Sequence, residues 1–365
     1  MIVMTAIMVS IMEIITVTIT RKKGASSLTC STEELKRQGF QNPMEERILI
    51  DAQRRKVNVA LLSVFSNTAL VILKVMVGLT IGSVSILSEA IHSGVDLLAA
   101  VIALFSVKTS SIPPDKNHPF GHGKIENISG TIEGLLIFLA AGWIIFEAIK
   151  KLMQPTPLET LGWGVGVMLM SCLVNIVVSE RLFKVGKETD SVALEADAWH
   201  LRTDVYTSAG VMGSLALIGV GDLFFPEYAL NWLDPLAAMA VALLIIKAAY
   251  ELTVRSGRDL LDAGLPTEEE VQVSGIIKQH QSDIHGFHDL RTRKAGGFRF
   301  VEFHMKVNPQ MTVEESHRIT DEIADRIEQQ FPRTRVTIHT EPCDGNCVGK
   351  CLEGCFLQSK EELRY

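Results

Sequence analysis

Six stretches of this chain, at 57–79, 83–107, 125–149, 160–180, 192–220 and 233–254, are each long and apolar enough to cross a bilayer. A spanning helix needs about 20 mostly apolar residues, and in hydrocarbon every backbone amide must be satisfied within the segment. The gaps between the stretches are short, so they form one six-helix bundle. Gly130 and Gly134 in the third stretch, and Gly210 and Gly213 in the fifth, offer small surfaces for close helix approach. Composition agrees: 47% of the 365 residues are hydrophobic and 21% are charged, with a mean hydropathy of +0.24. The apolar excess sits in 57–254, whereas 256–365 reads as an ordinary soluble module. A single soluble enzyme, a disordered chain, a collagen and a disulfide-rich secreted domain are all excluded. The net charge of −7 argues against a nucleic-acid partner.

Basic residues orient the bundle. Arg54, Arg55 and Lys56, then Lys108, Lys116 and Lys124, then Arg181, Lys184 and Lys187, then Arg255 and Arg258 all fall on one side. The opposite loops hold only Lys150 and Lys151, beside Asp222, Glu227 and Asp234. The positive-inside rule puts both ends of the bundle and the C-terminal module in the cytoplasm. Residues 1–43 form an extension with an apolar start. It reads as a seventh span, as a signal peptide lacking a basic n-region, or as sequence ahead of a true start at Met44, the preferred reading. The division is then 1–43, a membrane domain at 44–256, a cytosolic domain at 257–342 and a Cys-bearing tail at 343–365.

Ionisable residues inside a membrane are costly, at least about 3 kcal/mol at the bilayer centre, and mark function by default. The second span carries His92 and Asp96, and the fifth carries His200 and Asp204. Residues at i and i+4 share a helix face. Two such helices side by side present two imidazoles and two carboxylates, the donor set of a tetrahedral Zn²⁺ site. One such pair alone reads equally well as a hydrogen-bonded core pair; two make that reading weak. Asp197, three residues before His200, is expected at the cytoplasmic entrance. Arg202 is expected to pair with a carboxylate near the interface. Lys74, Glu133 and Lys247 read as bundle-internal pairs or snorkelling side chains.

After the second span, PPDKNHPFGHGK brings Asp115, His118 and His122 together on a proline-stiffened loop. One carboxylate and two imidazoles suit a divalent ion, although solvated loop histidines are common. Residues 265–342 read as α-β-β-α-β, a small α+β sandwich of the ferredoxin-like, split βαβ kind, with a hairpin at Gly296-Gly297. Strand alternation puts Val301, Phe303 and Met305 on the core face and His304 on the other. Likewise Val336 and Ile338 face the core, and His339 and Glu341 do not. His317 lies off the Ile319, Ile323 and Ile327 stripe of its helix. In the tail, Cys343, Cys347, Cys351 and Cys355 recur every four residues. Four thiolates suit Zn²⁺ or a softer ion. Gly345, Gly349 and Gly354 weaken a helical stripe, and a redox-sensitive flexible tail is the competing reading.

The paired His-x-x-x-Asp motifs, the six spans, the NHPFGHGK loop and the HDLRTR segment together resemble the cation diffusion facilitator family over about residues 45–342. The likeness is strongest to its bacterial zinc and iron efflux branch, whose members are homodimeric metal/proton antiporters with a cytosolic metallochaperone-like domain. The resemblance implies a transport site at His92, Asp96, His200 and Asp204, where His92 matches the zinc-selective pattern. It implies a second site at Asp115, His118 and His122. It implies a two-metal cytosolic site at His288, His304, His317, His339 and Glu341, where Glu341 replaces an Asp. It also implies a salt bridge between Lys124 and Asp262, near Arg293, tying the two halves together. The Cys tail departs from the family pattern.

The expectation is therefore a multi-pass protein of the inner (cytoplasmic) membrane, not an enzyme, that exports Zn²⁺ in exchange for protons. Membrane lipid, divalent ions and a second copy of the chain are its partners. Zn²⁺ is both substrate and regulatory ligand, with Cd²⁺, Fe²⁺ and Co²⁺ as further candidates. Two rivals remain: a membrane sensor or scaffold that binds Zn²⁺ without moving it, and a metalloenzyme. A four-ligand set with no open position and no partnered general base disfavours the latter.

Overall fold

The computed structural model describes residues 43–81, 84–154, 164–224, 232–343 and 354–357. Six long helices come first: α1 (Pro43–Ile81), α2 (Val84–Ser110), α3 (Lys124–Met153), α4 (Gly164–Thr189), α5 (Val192–Phe224) and α6 (Leu233–Leu260). Among the described residues, five of them, all but α5, are long and apolar enough to cross a membrane by length and composition. Much of the outer surface of the bundle is apolar, with Phe65, Leu79, Trp143 and Leu243 each more than 60% exposed. In water such a surface would aggregate, and in a bilayer it meets lipid.

Within the bundle α1 packs along α2, α3 along α6 and α4 along α5. The α3–α6 seam explains two of the glycines. A Cβ at Gly130 would lie 2.7 Å from Ser256 Oγ, and one at Gly134 would run into Thr253 Oγ1. Gly210 meets Val241 in the same way, but Gly213 faces open space and has no packing role.

The soluble module contains α7 (Thr267–Lys278), β1 (Gly286–Ala295), β2 (Phe298–Val307), α8 (Val313–Gln330) and β3 (Thr334–Pro342). The three strands lie in the order β1-β2-β3, antiparallel between β1 and β2 and parallel between β2 and β3. This is the α+β order expected from the sequence. Val301, Phe303 and Met305 are buried against Val273 and Ile277 of α7 and Ile319, Ile323 and Ile327 of α8. α8 starts at a capping box: Thr312 Oγ1 accepts from the Glu315 amide, and the Glu315 carboxylate accepts from the Thr312 amide. The β1–β2 hairpin turns at Gly296, whose φ of +59° favours glycine. Its tip docks on the bundle, where the Gly296 amide donates to Asn127 Oδ1 of α3 at 2.7 Å.

Residues 1–42 lie outside the described residues, and with them nearly all of the N-terminal extension.

Candidate metal sites

α2 and α5, the second and fifth of alternating helices, run antiparallel. The His-x-x-x-Asp pair on one therefore meets the pair on the other head to tail. His200 Nε2 lies 3.1 Å from Asp96 Oδ1, and His92 Nε2 lies 3.6 Å from Asp204 Oδ1. Donors around a tetrahedral Zn²⁺, with bonds of about 2.0–2.1 Å, sit about 3.3 Å apart. His92, Asp96 and Asp204 also offer ligand atoms that all lie within 4.8 Å of one another. Asp96 and His200 are buried and His92 is exposed, so the cluster opens on one side. It opens into a cleft of about 190 Å³ between α1, α2, α4 and α5, lined also by Asn67, Ser93, Cys172 and Asn175.

The other ionisable residues of the bundle divide sharply. Lys74 is paired, reaching Ser93 Oγ at 2.7 Å and Glu89 at 3.3 Å. Arg202 lies 3.7 Å from Glu180, and Lys247 lies 3.9 Å from Glu251 on the surface. Lys56 is not the solvent-facing cytoplasmic charge its place in the sequence suggests. It is 4% exposed and pairs with the buried Glu126, 70 positions away. Ser110 and Ser191 also donate to that carboxylate. Asp197 does not line an entrance: it is fully buried, and neither carboxylate oxygen has a hydrogen-bond partner. Glu133 is equally buried and has no cation partner, only Ser129 Oγ at 3.2 Å.

In the loop between α2 and α3, Asp115 stands 3.4 Å from His118 Nδ1 and 3.5 Å from His122 Nε2. The amides of His118 and Asn117 donate to Asp115 Oδ1 at 2.7 and 2.9 Å, and that hydrogen bonding, His118 first, holds its carboxyl below the usual range. His122 Nδ1–H donates to the Ile112 carbonyl at 3.2 Å, leaving Nε2 toward Asp115.

On the open face of the sheet, register places His288 opposite His304 and His304 opposite His339, so three imidazoles form one row across three strands. Glu341 lies beside them, with Oε1 2.9 Å from His304 Nδ1, 3.6 Å from His339 and its other oxygen 3.7 Å from His288. Lys306 donates to it at 2.7 Å and is the main reason its carboxyl stays ionised below the usual range. Burial lowers the His288 imidazole, keeping it neutral, as a ligand must be. These four residues fit a divalent ion, which they would hold through nitrogen and oxygen donors. His317 stands outside this row: it is exposed on α8, 3.7 Å from its neighbour Asp321, and lines a groove shared with Glu341.

The Cys tail is a correction. Cys347 and Cys351 lie outside the described residues. Cys343 extends β3, its amide donating to the Val307 carbonyl, whereas Cys355 bridges Gly286 on the outer edge of β1. Three strand spacings of about 4.8 Å separate the two edges. Among the described residues, Cys343 and Cys355 are not on a helix and do not share one ion.

The two halves meet through ion pairs. Lys124 Nζ reaches Asp262 Oδ1 at 2.9 Å and Arg293 reaches it at 3.4 Å, while the Arg293 guanidinium stacks 4.2 Å from the Phe300 ring centre. Sequence reading missed a second junction. Asp190, in the α4–α5 turn, binds Lys294 at 2.5 Å, Arg299 at 3.1 Å and Arg255 at 3.3 Å. Burial works against its ionisation, but these cations, Lys294 foremost, keep its carboxyl below the usual range. The only hint in the sequence is a lone Asp between two helix signals.

Comparison with known proteins follows the same division. The cation efflux transmembrane domain model matches residues 60–261, and the cation efflux protein cytoplasmic domain model matches 265–343. The uncharacterized transporter sll1263 of Synechocystis is 34% identical over 285 residues, 78% of this chain and 90% of that protein. The cation-efflux pump FieF of Salmonella newport is 30% identical over 276 residues, 76% of this chain and 89% of the pump. A solved structure of the proposed zinc transporter CzrB, in its zinc form, is 38% identical and covers 24% of this chain and 97% of that one, with a TM-score of 0.22. With both halves matched in order and relatives covered almost end to end, the chain belongs to the cation diffusion facilitator family of membrane cation-efflux transporters.

Proposed function

We propose that the chain exports Zn²⁺ from the cytoplasm in exchange for protons, through a four-ligand site made by His92, Asp96, His200 and Asp204. The observation that carries this reading is the head-to-tail meeting of the two His/Asp pairs, with cross-helix distances of 3.1 and 3.6 Å. Two imidazole nitrogens favour Zn²⁺, with Cd²⁺, Co²⁺ and Fe²⁺ next, over harder ions. Coordination requires neutral imidazoles and ionised carboxylates, so metal entry displaces protons. Rocking of the bundle then turns the site outward, and protons from outside help expel the ion.

The α+β domain lies in the cytoplasm of a cell whose inner membrane holds the bundle, as the basic bias of its loops supports. There it pairs with a second copy of the chain, and His288, His304, His339 and Glu341 bind metal as a regulatory signal. The Asp115, His118 and His122 loop is a capture site on the same side. The family model of a cytoplasmic domain supports that placement.

The test is Zn²⁺ uptake into vesicles holding the purified protein, with and without a pH gradient. A gradient-dependent flux that Asp204→Ala abolishes is expected. Undiminished flux in the variant sinks the site, and Zn²⁺ binding without flux in the wild type favours a sensor.

A further inference from the structure

Among the described buried carboxyl groups, Glu133 and Asp197 are exceptional. Glu126 has Lys56 and two serines, Asp96 has His200, and Asp234 has Lys151 and Ser214. Glu133 on α3 and Asp197 on α5 are both fully buried, are within electrostatic reach of each other, and have no Lys or Arg beside them. Three of their four oxygens are unpartnered. Leaving two bare carboxylates there would cost several kcal/mol each, because nothing repays their lost hydration.

Their surroundings are polar and equally unsatisfied. The Ser63 hydroxyl of α1 faces Asp197 but falls short of hydrogen-bond geometry. Asn67, one turn further along α1, has a buried, unpartnered Nδ2 and lines the transport cleft. On the α6 side, Thr253 and Ser256, which abut Gly134 and Gly130, have unpartnered hydroxyls too. The ionisable groups facing the pair from other positions are Asp96 of α2 and His200 of α5. A buried polar track thus runs from the transport cleft through Asn67 and Ser63 to Asp197 and Glu133. Asp197 lies between the cleft and the α4–α5 turn, on the side of the bundle that carries the α+β domain.

We propose that Glu133 and Asp197 are a proton-holding carboxyl pair that accepts a proton released at the transport site and delivers it toward the α+β-domain side. This rests on the proton-exchange reading above. With one of the two carboxyls protonated, the pair carries minus one. A proton released as metal enters the cleft bonds to the remaining carboxylate oxygen, taking the pair to neutral. Its loss to water on the α+β side restores minus one. Charge balances at each step, and no co-reactant beyond water is required. The hydroxyls and amide of Ser63 and Asn67 are the groups through which such a proton passes.

The test uses the full chain in lipid vesicles with a pH-sensitive dye, counting protons moved per Zn²⁺. Wild-type protein that moves Zn²⁺ without protons overturns the exchange reading, and this inference with it. Where exchange is present, Glu133→Gln and Asp197→Asn are expected to keep Zn²⁺ binding in calorimetry but to lower the protons moved per Zn²⁺ by about one. Unchanged proton counts in both variants overturn the pair while leaving the exchange reading intact. Infrared difference spectra of zinc-free wild-type protein, in H₂O minus D₂O, guard against a variant that fails to fold. They should contain a carboxylic acid stretch that Glu133→Gln removes, and a spectrum with no such band overturns the pair without any variant.

Discussion

Lys56 and Glu126 show what a buried charge demands. Their side chains are 5% and 1% exposed, and the carboxylate is completed by Ser110 and Ser191, so α1, α2, α3 and the start of α5 are pinned at one point. Removing one partner of such a pair strands the other, at about 3–5 kcal/mol, whereas replacing both with apolar or neutral groups is far milder. Lys56→Met is therefore expected to lower the melting temperature sharply, and Lys56→Met with Glu126→Gln to recover most of the loss. Equal melting points for the single and double variants would contradict the pairing. Sequence alone placed Lys56 among the solvent-facing cytoplasmic charges, because nothing local marks a partner 70 residues away. His92, Asp96, His200 and Asp204 were legible, since i, i+4 spacing fixes a shared face without reference to the fold.

Among elements, the α3–α6 seam depends on side chains that are absent. Lipid offers no hydrophobic drive between helices, so association rests on close packing. Gly130 and Gly134 let Ser256 and Thr253 of α6 sit directly against the α3 backbone. Gly134→Leu is expected to overpack the seam at about 1–3 kcal/mol, seen as a lower melting temperature in detergent. Gly213→Ala, which meets nothing within 4 Å, serves as the control and should leave it unchanged or slightly higher, because alanine is the better helix former. A seam variant as stable as the control would refute the close approach. The strands were equally readable: period-two alternation sorted Val301, Phe303 and Met305 from His304. It did not reveal that His288, His304 and His339 share one row, because strand register is a tertiary fact.

Across the whole molecule, the α+β domain is fixed to the bundle by Lys124–Asp262–Arg293, by Asn127 on the hairpin tip, and by Asp190. Asp190 makes that attachment pH-dependent. Its folded carboxyl titrates below its ordinary value of 3.8, so its contribution is present above that pH and is lost as pH falls through the lower folded value. The junction should hold through neutral and mildly acidic pH and loosen only in strong acid. Asp190→Asn should loosen it at neutral pH as well, read as faster proteolysis between residues 261 and 265. A variant as resistant as wild type at neutral pH would show that the Asp190 charge does not hold the halves together.

The sequence by itself determined the layout of six long apolar segments before an α+β module, the His/Asp pairs and the loop triad, because each rests on periodicity or spacing within one element. Only the tertiary structure decided which distant groups meet. It set His92 against Asp204 and Asp96 against His200, took His317 away from the histidine row, and put Cys343 and Cys355 on opposite edges of the sheet. It buried Glu133 and Asp197 without a cation, and Lys56 with one. The physical reason is common to all of these: local pattern fixes which face a side chain occupies, while helix order, strand register and burial fix what that face touches.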